Sequence, residues 1–437
     1  MLSVTEEKAK EWTNWSGSVK SYPASILFPS SIQEVVEIVK AASQQNKKIR
    51  VVGAGHSFTR LVQTNEILIS LENLHGVEKL DKEKGLAEVW AGTNLKELGE
   101  ALYELGVSQE NLGDINSQSI AGAISTGTHG TGIAFGSIST QVAAITAVNA
   151  SGEVLYCSDE ENPNLFKAFQ VSLGTLGIIV KVTLRVVPKL HLSYKCYRTK
   201  LTDCLERLVP LKQENRHFEF YWFPYTDTVQ VKLMNKTNEA SFKNNKWSEW
   251  KKLALENGIY WLLSEVCRLL PSMSKTISRI SAIGVPSIEE SGPSHLLFAT
   301  PRLVRFNEME YSIPAEHLRA ALEEMKKCIE THQFAVHFPI ECRYVKRDDI
   351  WLSPANERDS AYIAVHMYKG MSHEEYFYHI EKILQKYEGR PHWGKIHTMT
   401  PEQLQKIYPK WNTFLHIREE LDPAGLFLND YLCSLLA

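Results

Sequence analysis

Apolar and polar residues follow two periods along the first part of the chain, and the pattern predicts short helices and strands in succession. Residues 31–46 carry apolar residues at helical spacing. Residues 94–106 repeat this pattern between Asn94, a good N-cap, and Gly106, a helix stop. Strands are predicted for three short apolar runs, at residues 49–52, 67–74 and 86–92. Helices and strands that alternate at this scale are typical of a small α/β domain.

The pattern changes after this region. Residues 141–158 predict a β-hairpin around Ser151 and Gly152, and residues 174–188 predict a long strand after two glycines. Pro188 is the predicted end of the first domain. The rest indicates a second, α+β domain followed by helices, with strands predicted at 217–225 and 228–234 and helices at 253–270, 315–331 and 411–421.

One strand ends in the segment VVGAGHSFT, residues 51–59, where a histidine directly follows Gly53 and Gly55. Three interpretations compete: a tight turn with a surface histidine, a dinucleotide-binding fingerprint, or a phosphate-binding loop that also presents His56 to a cofactor. The fingerprint needs a third glycine, and Phe58 stands in its place. These residues alone favour the turn.

A second unusual segment covers residues 111–136 and is rich in glycine and hydroxyl side chains. A flexible linker is the simplest interpretation. However, isoleucines and Phe135 recur along the segment, and their apolar side chains would anchor it to a core. An anchored backbone with few bulky side chains allows close approach to a ligand. Its N–H groups and hydroxyls could bind phosphate, ribitol or a heteroaromatic ring, which favours the phosphate-binding interpretation of residues 51–57 as well.

Composition excludes several classes of protein. A chain of 437 residues predicts two or three domains, and a net charge of −3 gives no support for a nucleic-acid or acidic-membrane partner. Seven cysteines without a C-x-x-C pair argue against a disulfide framework and an iron–sulfur cluster. The charged N-terminus is no secretory signal, and the apolar segment 253–270 contains two Glu and an Arg, so we expect no membrane span and a cytoplasmic location.

Taken together, the motifs resemble the FAD-dependent sugar-lactone and alditol oxidases, which include L-gulonolactone and D-arabinonolactone oxidases, of the vanillyl-alcohol-oxidase-like flavoprotein superfamily. The resemblance covers nearly the whole chain, and its specificity lies in the family order of the motifs. They are VVGAGHSFT (51–59), GDINSQSIAGAISTGTHGTG (113–132), SLGTLGIIVKVTL (172–184), RLVRFNEMEYSIP (302–314), IECR (340–343), DDIWLSPANERDSAYIAVH (348–366), RPHWGKIHT (390–398) and LDPAGLFLNDYL (421–432).

The resemblance implies an α+β fold with three parts. Residues 1–188 would form a PCMH-type FAD-binding domain of two subdomains, and residues 189–399 an α+β substrate cap domain with an antiparallel sheet. Residues 400–437 would pack back on the FAD domain. The family bonds the histidine that matches His56 to the 8α-methyl of the flavin. The cofactor-binding residues implied in this way are Val52, Gly53, Ala54, Gly55, His56, Ser57, Ser119, Ala123, Gly127, Thr128, His129, Gly130, Ile179 and His392.

Substrate and catalytic residues are implied on several segments. Glu341 and Arg343 point to the same face of a strand because side chains repeat every two residues, and a simple ion pair is the alternative for them. The resemblance places both beside the substrate, together with His366, Lys395 and Ser119. Outside the resemblance, a turn hydroxyl is the preferred interpretation of Ser119 and a surface lysine that of Lys395, while a core histidine is an equal alternative for His366. Glu341 or His366 could accept the hydroxyl proton, and a cation could stabilise reduced flavin.

The predicted activity is the oxidation of a CH–OH group of an aldono-1,4-lactone, of the L-gulono-, L-galactono- or D-arabinono- type, by hydride transfer to FAD with O2 as acceptor, giving H2O2. The alternatives are an alditol oxidase acting on xylitol or sorbitol, a dehydrogenase with another electron acceptor, and an inactive flavin- or sugar-binding protein. A nicotinamide enzyme is disfavoured by the missing glycine. No metal site is predicted, because the pairs His332/His337 and His392/His397 lack helical i,i+4 spacing.

Overall fold

A computed structural model describes residues 5–8, 10–238, 246–299 and 303–436. Side chains are described for all of these residues except 6–8 and 246–257. The first four residues of the N-terminal segment, and Arg302 at the start of one motif, therefore lie outside the described residues. None of the described helices is long and apolar enough to cross a membrane. The predicted fold class is confirmed: α-helices accompany two mixed or antiparallel sheets and a larger antiparallel one.

The chain begins with a four-stranded sheet in the order β1-β4-β6-β5, in which β4, β6 and β5 run parallel. Helix α1 begins where the Ser31 hydroxyl accepts a hydrogen bond from the Glu34 N–H, and it buries its valines against this sheet. The elements are β1 (Thr5–Lys8), β2 (Trp12–Thr13), β3 (Lys20–Ser21), β4 (Ser25–Phe28), α1 (Ile32–Gln44), β5 (Ile49–Val52) and β6 (Ile67–Ser70).

The second sheet is antiparallel, in the order β11-β10-β12-β8-β7. The predicted hairpin at 141–158 is β10 and β11, and the Asn94 side chain caps α2 as predicted. Strand predictions at 67–74 and 86–92 were too long, since β6 and β8 end at Ser70 and Trp90. The elements are β7 (Val77–Asp81), β8 (Leu86–Trp90), α2 (Leu95–Glu104), β9 (Val107–Ser108), α3 (Ile120–Ser125), β10 (Val142–Val148), β11 (Val154–Ser158), α4 (Pro163–Phe169), β12 (Ile178–Arg185) and β13 (Val187–Pro188).

The largest sheet, called the cap sheet below, has eight strands in the order β17-β14-β16-β15-β19-β20-β18-β21, all antiparallel. Its elements and flanking helices are β14 (His191–Lys200), α5 (Leu201–Glu206), α6 (Leu208–Glu214), β15 (His217–Trp222), β16 (Thr228–Lys236), α7 (Lys246–Leu269), α8 (Ser274–Ile283), β17 (Ile288–Pro293), α9 (Ser294–Phe298), β18 (Phe306–Pro314), α10 (Leu318–His332), β19 (Ile340–Val345), β20 (Ser360–Tyr368), α11 (Glu374–Lys386) and β21 (Arg390–Pro391).

Polar residues at alternate positions of four neighbouring strands share one face of the cap sheet. The register places Glu219 opposite Arg343 and Glu308 opposite His366. Since directly paired residues point to the same side, these residues form one row, called the polar row below. Its members are Glu219, Tyr221, Glu308, Glu310, Glu341, Arg343 and His366, and all are buried. A one-residue shift of any of these strands would turn its polar residues to the opposite face.

Three helices follow the cap sheet, α12 (Pro401–Ile407), α13 (Trp411–Leu421) and α14 (Asp430–Leu436). The turn between α13 and α14 lies against the first sheet: the Ile49 N–H donates to the Leu426 carbonyl, and Lys48 Nζ to the carbonyls of residues 424 and 425. Asp422 accepts hydrogen bonds from the backbone N–H groups of Leu426 and Phe427 at 2.6 and 2.8 Å and so shapes the turn. The predicted boundaries at 188 and 400 stay predictions.

Arg50 of β5 is the buried link between this turn and two other loops. Its guanidinium donates to the carbonyl oxygens of Leu61, Leu173, Gly174 and Phe427. Burial lowers the pKa of Arg50 to about 10, while the charge of Asp422 acts in the opposite direction, so the group stays protonated at neutral pH. One side chain thus satisfies carbonyls from three separate segments that would be costly to leave unpaired.

Replacing Arg50 with Met should destabilise the protein strongly, because it leaves these carbonyls without a donor. We expect the free energy of unfolding to fall by about 3 to 5 kcal/mol, measured by urea denaturation. Arg319→Met removes an exposed arginine that pairs with Glu323 on the same helix, and it should change the free energy by less than about 1 kcal/mol. Equal effects of the two substitutions would contradict this role of Arg50.

Candidate active site

The two glycine-rich segments line one large cavity of about 460 Å³. Residues 50–57 form the end of β5 and the turn after it, residues 117–126 include α3, and residues 173–179 lead into β12. The segments approach each other closely where Gly53 faces Ser119. A Cβ at Gly53 would lie 2.3 Å from the Ser119 hydroxyl oxygen, so no larger residue fits there without displacement. The two segments are therefore in direct contact at this point of the cavity wall.

Ser119 occupies a structural position in this wall. Its hydroxyl accepts a hydrogen bond from the Gly122 N–H at 3.3 Å and caps α3. The residue borders the large cavity but not the smaller one described below. This hydrogen bond is what the turn-hydroxyl alternative expects, and the predicted role of Ser119 beside the flavin and substrate stays a prediction.

His56 borders both cavities. Its ring stacks on Trp15 with 5.5 Å between the centroids, and its Nε2 atom lies 2.7 Å from the Ser117 hydroxyl. Burial, assisted by the positive charge of Lys395, lowers the pKa of His56 to about 4. The imidazole is therefore neutral at neutral pH and keeps one nitrogen with a free electron pair, as bond formation to a carbon atom requires.

A smaller cavity of about 50 Å³ adjoins the first one and lies against the polar row. The structure brings together here most of the predicted substrate and catalytic side chains. Predicted residues that line it are His56, Ser57, Thr128, His129, Glu341, Arg343, His366, His392 and Lys395. Four further lining residues that the prediction left without a role are Asp114, Gln118, Glu308 and Glu310.

Arg343 is the centre of the first charged group in this cavity. Its Nη2 atom pairs with Glu341 and lies 3.1 Å from Asp114 Oδ2, while its Nε donates to Glu219 Oε2 at 3.0 Å. Tyr221 donates to Glu341 Oε1 at 2.6 Å. Although burial acts to lower it, the three carboxylates raise the pKa of Arg343 well above its ordinary value. The predicted common face of Glu341 and Arg343 is confirmed.

Glu308 of β18 is the centre of the second group. Its Oε2 atom pairs with Lys395 Nζ, and its Oε1 atom lies 3.5 Å from His366 Nε2. Burial acts to raise the pKa of Glu308, but the charge of Lys395 and the contact with His366 outweigh it and hold this pKa well below the ordinary value. Lys395 thus enters the cavity bound to Glu308. The alternative of a solvated surface lysine is wrong.

A third group joins the second glycine-rich segment to the cap sheet. His129 Nε2 lies 3.2 Å from Glu310 Oε1, and its Nδ1 donates to the Gly130 carbonyl at 2.8 Å. Burial acts to raise the pKa of Glu310, yet the neighbouring His129 lowers it to about 2. His392 lies 5.9 Å from His129 between ring centroids, and burial lowers its pKa to about 3, so it is neutral.

Three predicted cofactor residues border neither cavity, so their predicted role stays a prediction. Ala123 is buried in the core, and Gly127 has a φ of +72° that suits glycine. Gly130 packs on backbone, where a Cβ would lie 2.1 Å from the Leu112 carbonyl oxygen. Ile179 and the residues from Val52 to Ser57 do line the large cavity.

The sequence contains a weak indication of the polar-row residues that were not predicted. Glu308 and Glu310 alternate within FNEMEYSIP, and Glu219 and Tyr221 alternate within HFEFYW. In an otherwise apolar strand this period places acids on one buried face, which requires cationic partners. The partners themselves, such as Glu308 with Lys395, lie 87 residues apart in the chain and appear only once the strands are paired.

Comparisons with known proteins agree with this architecture. A family model described as FAD binding domain matches residues 23–158, and one described as D-arabinono-1,4-lactone oxidase matches residues 182–435. The L-gulono-1,4-lactone dehydrogenase of Mycobacterium tuberculosis is 39% identical over 420 residues, which cover 96% of this chain and 97% of that protein. The L-gulonolactone oxidase of Mus musculus is 35% identical and covers 97% and 98% of the two chains.

Among solved structures, a solvent-stable cholesterol oxidase has a TM-score of 0.83 at 18% identity, covering 99% of this chain and 98% of that one. At this identity the similarity supports the fold alone. The sequence relatives cover both chains almost completely, and the lactone-oxidase model covers more than half of this chain. The chain therefore belongs to the D-arabinono-1,4-lactone oxidase family of proteins with an FAD-binding domain.

Proposed function

We propose that the protein is an FAD-dependent enzyme that oxidises a CH–OH group of an aldono-1,4-lactone and transfers the electrons to O2, giving H2O2. The observation that carries this proposal is the polar row, which faces a small cavity directly beside the large one. Family relatives named for L-gulono- and D-arabinono-lactones support the substrate class. A polyol substrate would use the same groups, but these relatives favour the lactone.

The large cavity fits an FAD molecule in size and chemistry. Its volume of about 460 Å³ lies in the range of cofactor sites, and residues 52–57 line it. Residues 52–57 would hold it on one side, and Ser119 and Ile179 on the other. Bound FAD would supply the acceptor for the hydride, and its reactive ring would have to meet the substrate near His56, the residue shared by both cavities.

The small cavity would bind a neutral polar substrate. Arg343 and Lys395 offer N–H donors to a lactone carbonyl or hydroxyl oxygen, and Glu341 offers an acceptor to a substrate hydroxyl. The carboxylate partners fix both cations, so binding would need little reorganisation of these side chains. Their positive charge would also stabilise negative charge that develops beside them during oxidation.

His366 is our proposed acceptor of the hydroxyl proton. The residue lines the small cavity, and its Nδ1–H donates to the Pro339 carbonyl at 3.1 Å, while its Nε2 lies 3.5 Å from Glu308 Oε1. A proton received at Nε2 would be stabilised by the Glu308 carboxylate, as in other base–carboxylate pairs. Glu341 is less suited, because Arg343 and Tyr221 already bind its Oε1 atom and favour the ionised form.

A substrate panel tests the proposed activity. Anaerobic bleaching of the flavin should be fast with L-gulono-, L-galactono- or D-arabinono-1,4-lactone and at least about tenfold slower with xylitol or sorbitol. Peroxide should form stoichiometrically in air. Bleaching by alditols alone would contradict the lactone assignment, and bleaching without peroxide would contradict O2 as acceptor, in line with the dehydrogenase relative.

The neutral imidazole of His56 leads us to propose a covalent bond to the flavin. Acid-precipitated protein should then stay yellow, and the His56→Ala protein should lose its colour on precipitation. His75→Ala is a matched control, because His75 lines the same cavity and pairs with Glu97 at its exposed edge. Release of all flavin from the unmodified protein in acid would refute the bond.

Removing either cation should slow flavin reduction in the folded, FAD-loaded protein, in addition to the stability cost of leaving buried carboxylates unpaired. We expect Arg343→Met and Lys395→Met to slow anaerobic reduction by lactone by about a hundredfold or more, because each removes an electrostatic stabiliser from the small cavity. FAD content should remain, since the large cavity is untouched. Lys410→Met, an exposed lysine near α13, is the control. Near-normal rates of flavin reduction in both cavity variants would show that these residues do not take part in the reaction.

A further inference from the structure

Two helices behind the cap sheet bring together a cysteine and two histidines that the proposed reaction does not use. Cys328 and His332 lie one helical turn apart on α10, and His379 lies on the neighbouring α11. One potential ligand atom from each residue lies within 4.8 Å of the others. Cys328 and His379 are partly exposed and His332 is exposed, so the group, called the Cys–His–His cluster below, is open to solvent.

The distances in this cluster match a tetrahedral metal site. Cys328 Sγ lies 3.7 Å from His332 Nδ1. Bonds of about 2.3 Å to sulfur and about 2.05 Å to nitrogen, at a tetrahedral angle, place the two ligand atoms about 3.6 Å apart. The ring centroids of His332 and His379 are 4.1 Å apart, which brings the second imidazole to the same point.

We propose that the Cys–His–His cluster binds one Zn²⁺ ion, with water as the fourth ligand. Thiolate and imidazole together prefer Zn²⁺ over the hard cations Mg²⁺ and Ca²⁺. On binding, the Cys328 thiol proton passes to solvent and a zinc–sulfur bond replaces the S–H bond. His332 Nδ1 now donates to the Cys328 carbonyl at 3.0 Å, and this hydrogen bond is given up if Nδ1 becomes the ligand.

Two other acid or histidine groups among the described residues also have metal-like spacing, but both belong to the candidate active site. Arg343 pairs with Asp114, Glu219 and Glu341 and neutralises that group. His129, Glu310 and His392 line the small cavity. The Cys–His–His cluster stands apart from both cavities, and a C-x-x-x-H pair on one helix face is the signal that a search for histidine pairs alone does not detect.

The position of the cluster indicates what the ion would do. Helix α10 follows the strand that carries Glu308 and Glu310, and α11 precedes the segment that carries His392 and Lys395. An ion bound by both α10 and α11 would hold these two helices together. It would thereby stabilise the positions of the strand and the segment that the helices adjoin in the chain. Because it binds the folded chain and only weakly the unfolded one, it would raise the melting temperature with metal concentration.

The test uses the full-length, FAD-loaded protein after chelator treatment and dialysis. A calorimetric titration with Zn²⁺ alone should show one site with micromolar or tighter affinity. Thermal unfolding with Zn²⁺ present should show a higher melting temperature than without it. Co²⁺ should give the visible absorption of a tetrahedral thiolate site at long wavelengths, where oxidised flavin does not absorb, and Zn²⁺ should abolish it.

Substitutions decide where the ion binds. Cys328→Ser, His332→Gln and His379→Gln should each weaken Zn²⁺ binding by at least about tenfold, while flavin content and lactone activity without metal stay unchanged. Cys433→Ser and His416→Gln change an exposed cysteine and an exposed histidine elsewhere, and both should bind Zn²⁺ as the unmodified protein does. Absence of a tight site, or a tight site that survives Cys328→Ser and His379→Gln, would overturn the proposal.

Discussion

Burial of charge on one face of the cap sheet is the constraint on which the rest of the candidate site depends. The acids Glu219, Glu308, Glu310 and Glu341 are all buried there, and buried carboxylates are costly unless they are paired. Arg343 lies on the sheet itself, whereas Lys395 and His129 come from segments outside the central strands. A loop that lies against the polar row must therefore bring a cation or a histidine to these acids. The ion-pair distances then set how closely the loop approaches the sheet.

The second glycine-rich segment shows how this constraint joins the two parts of the chain. Its residues line the cavities on one side and bind the cap sheet on the other: His129 contacts Glu310, the Thr131 hydroxyl donates to the Phe218 carbonyl, and the Gly132 N–H donates to the Tyr344 carbonyl at 2.8 Å. The same stretch of backbone is both cavity wall and attachment point. Its small side chains serve both purposes, because a bulky residue at position 130 or 132 would collide with backbone.

Much of this was predictable from the sequence. Helical spacing and caps gave α1 and α2, the hairpin of β10 and β11 followed from its turn residues, and motif order gave the cofactor class. Alternation within IECR predicted that Glu341 and Arg343 share a face. The roles carried over for individual residues remain predictions, and Ser119 lines the large cavity while the other predicted catalytic residues line the small one.

The partners of the charged residues were not predictable in this way. Glu308 and Lys395, or Arg343 and Asp114, are far apart in sequence, and local periodicity carries no information about which strands become neighbours. The Cys–His–His cluster needed the packing of α10 on α11 for the same reason. Sequence alone shows which side chains share a face of one element; which element lies opposite depends on tertiary packing.

The central claim is that the polar row positions the cations of the site, and the pair of Glu308 and Lys395 tests it most directly. The measurement is the rate constant of anaerobic flavin reduction by the best lactone in Glu308→Gln, Lys395→Met and the double variant. If Glu308 holds Lys395 in place, the slowing in the double variant should be clearly smaller than the product of the two single effects, although Glu308 also faces His366. Penalties that multiply in the double variant would show that the two residues act independently and would contradict the account.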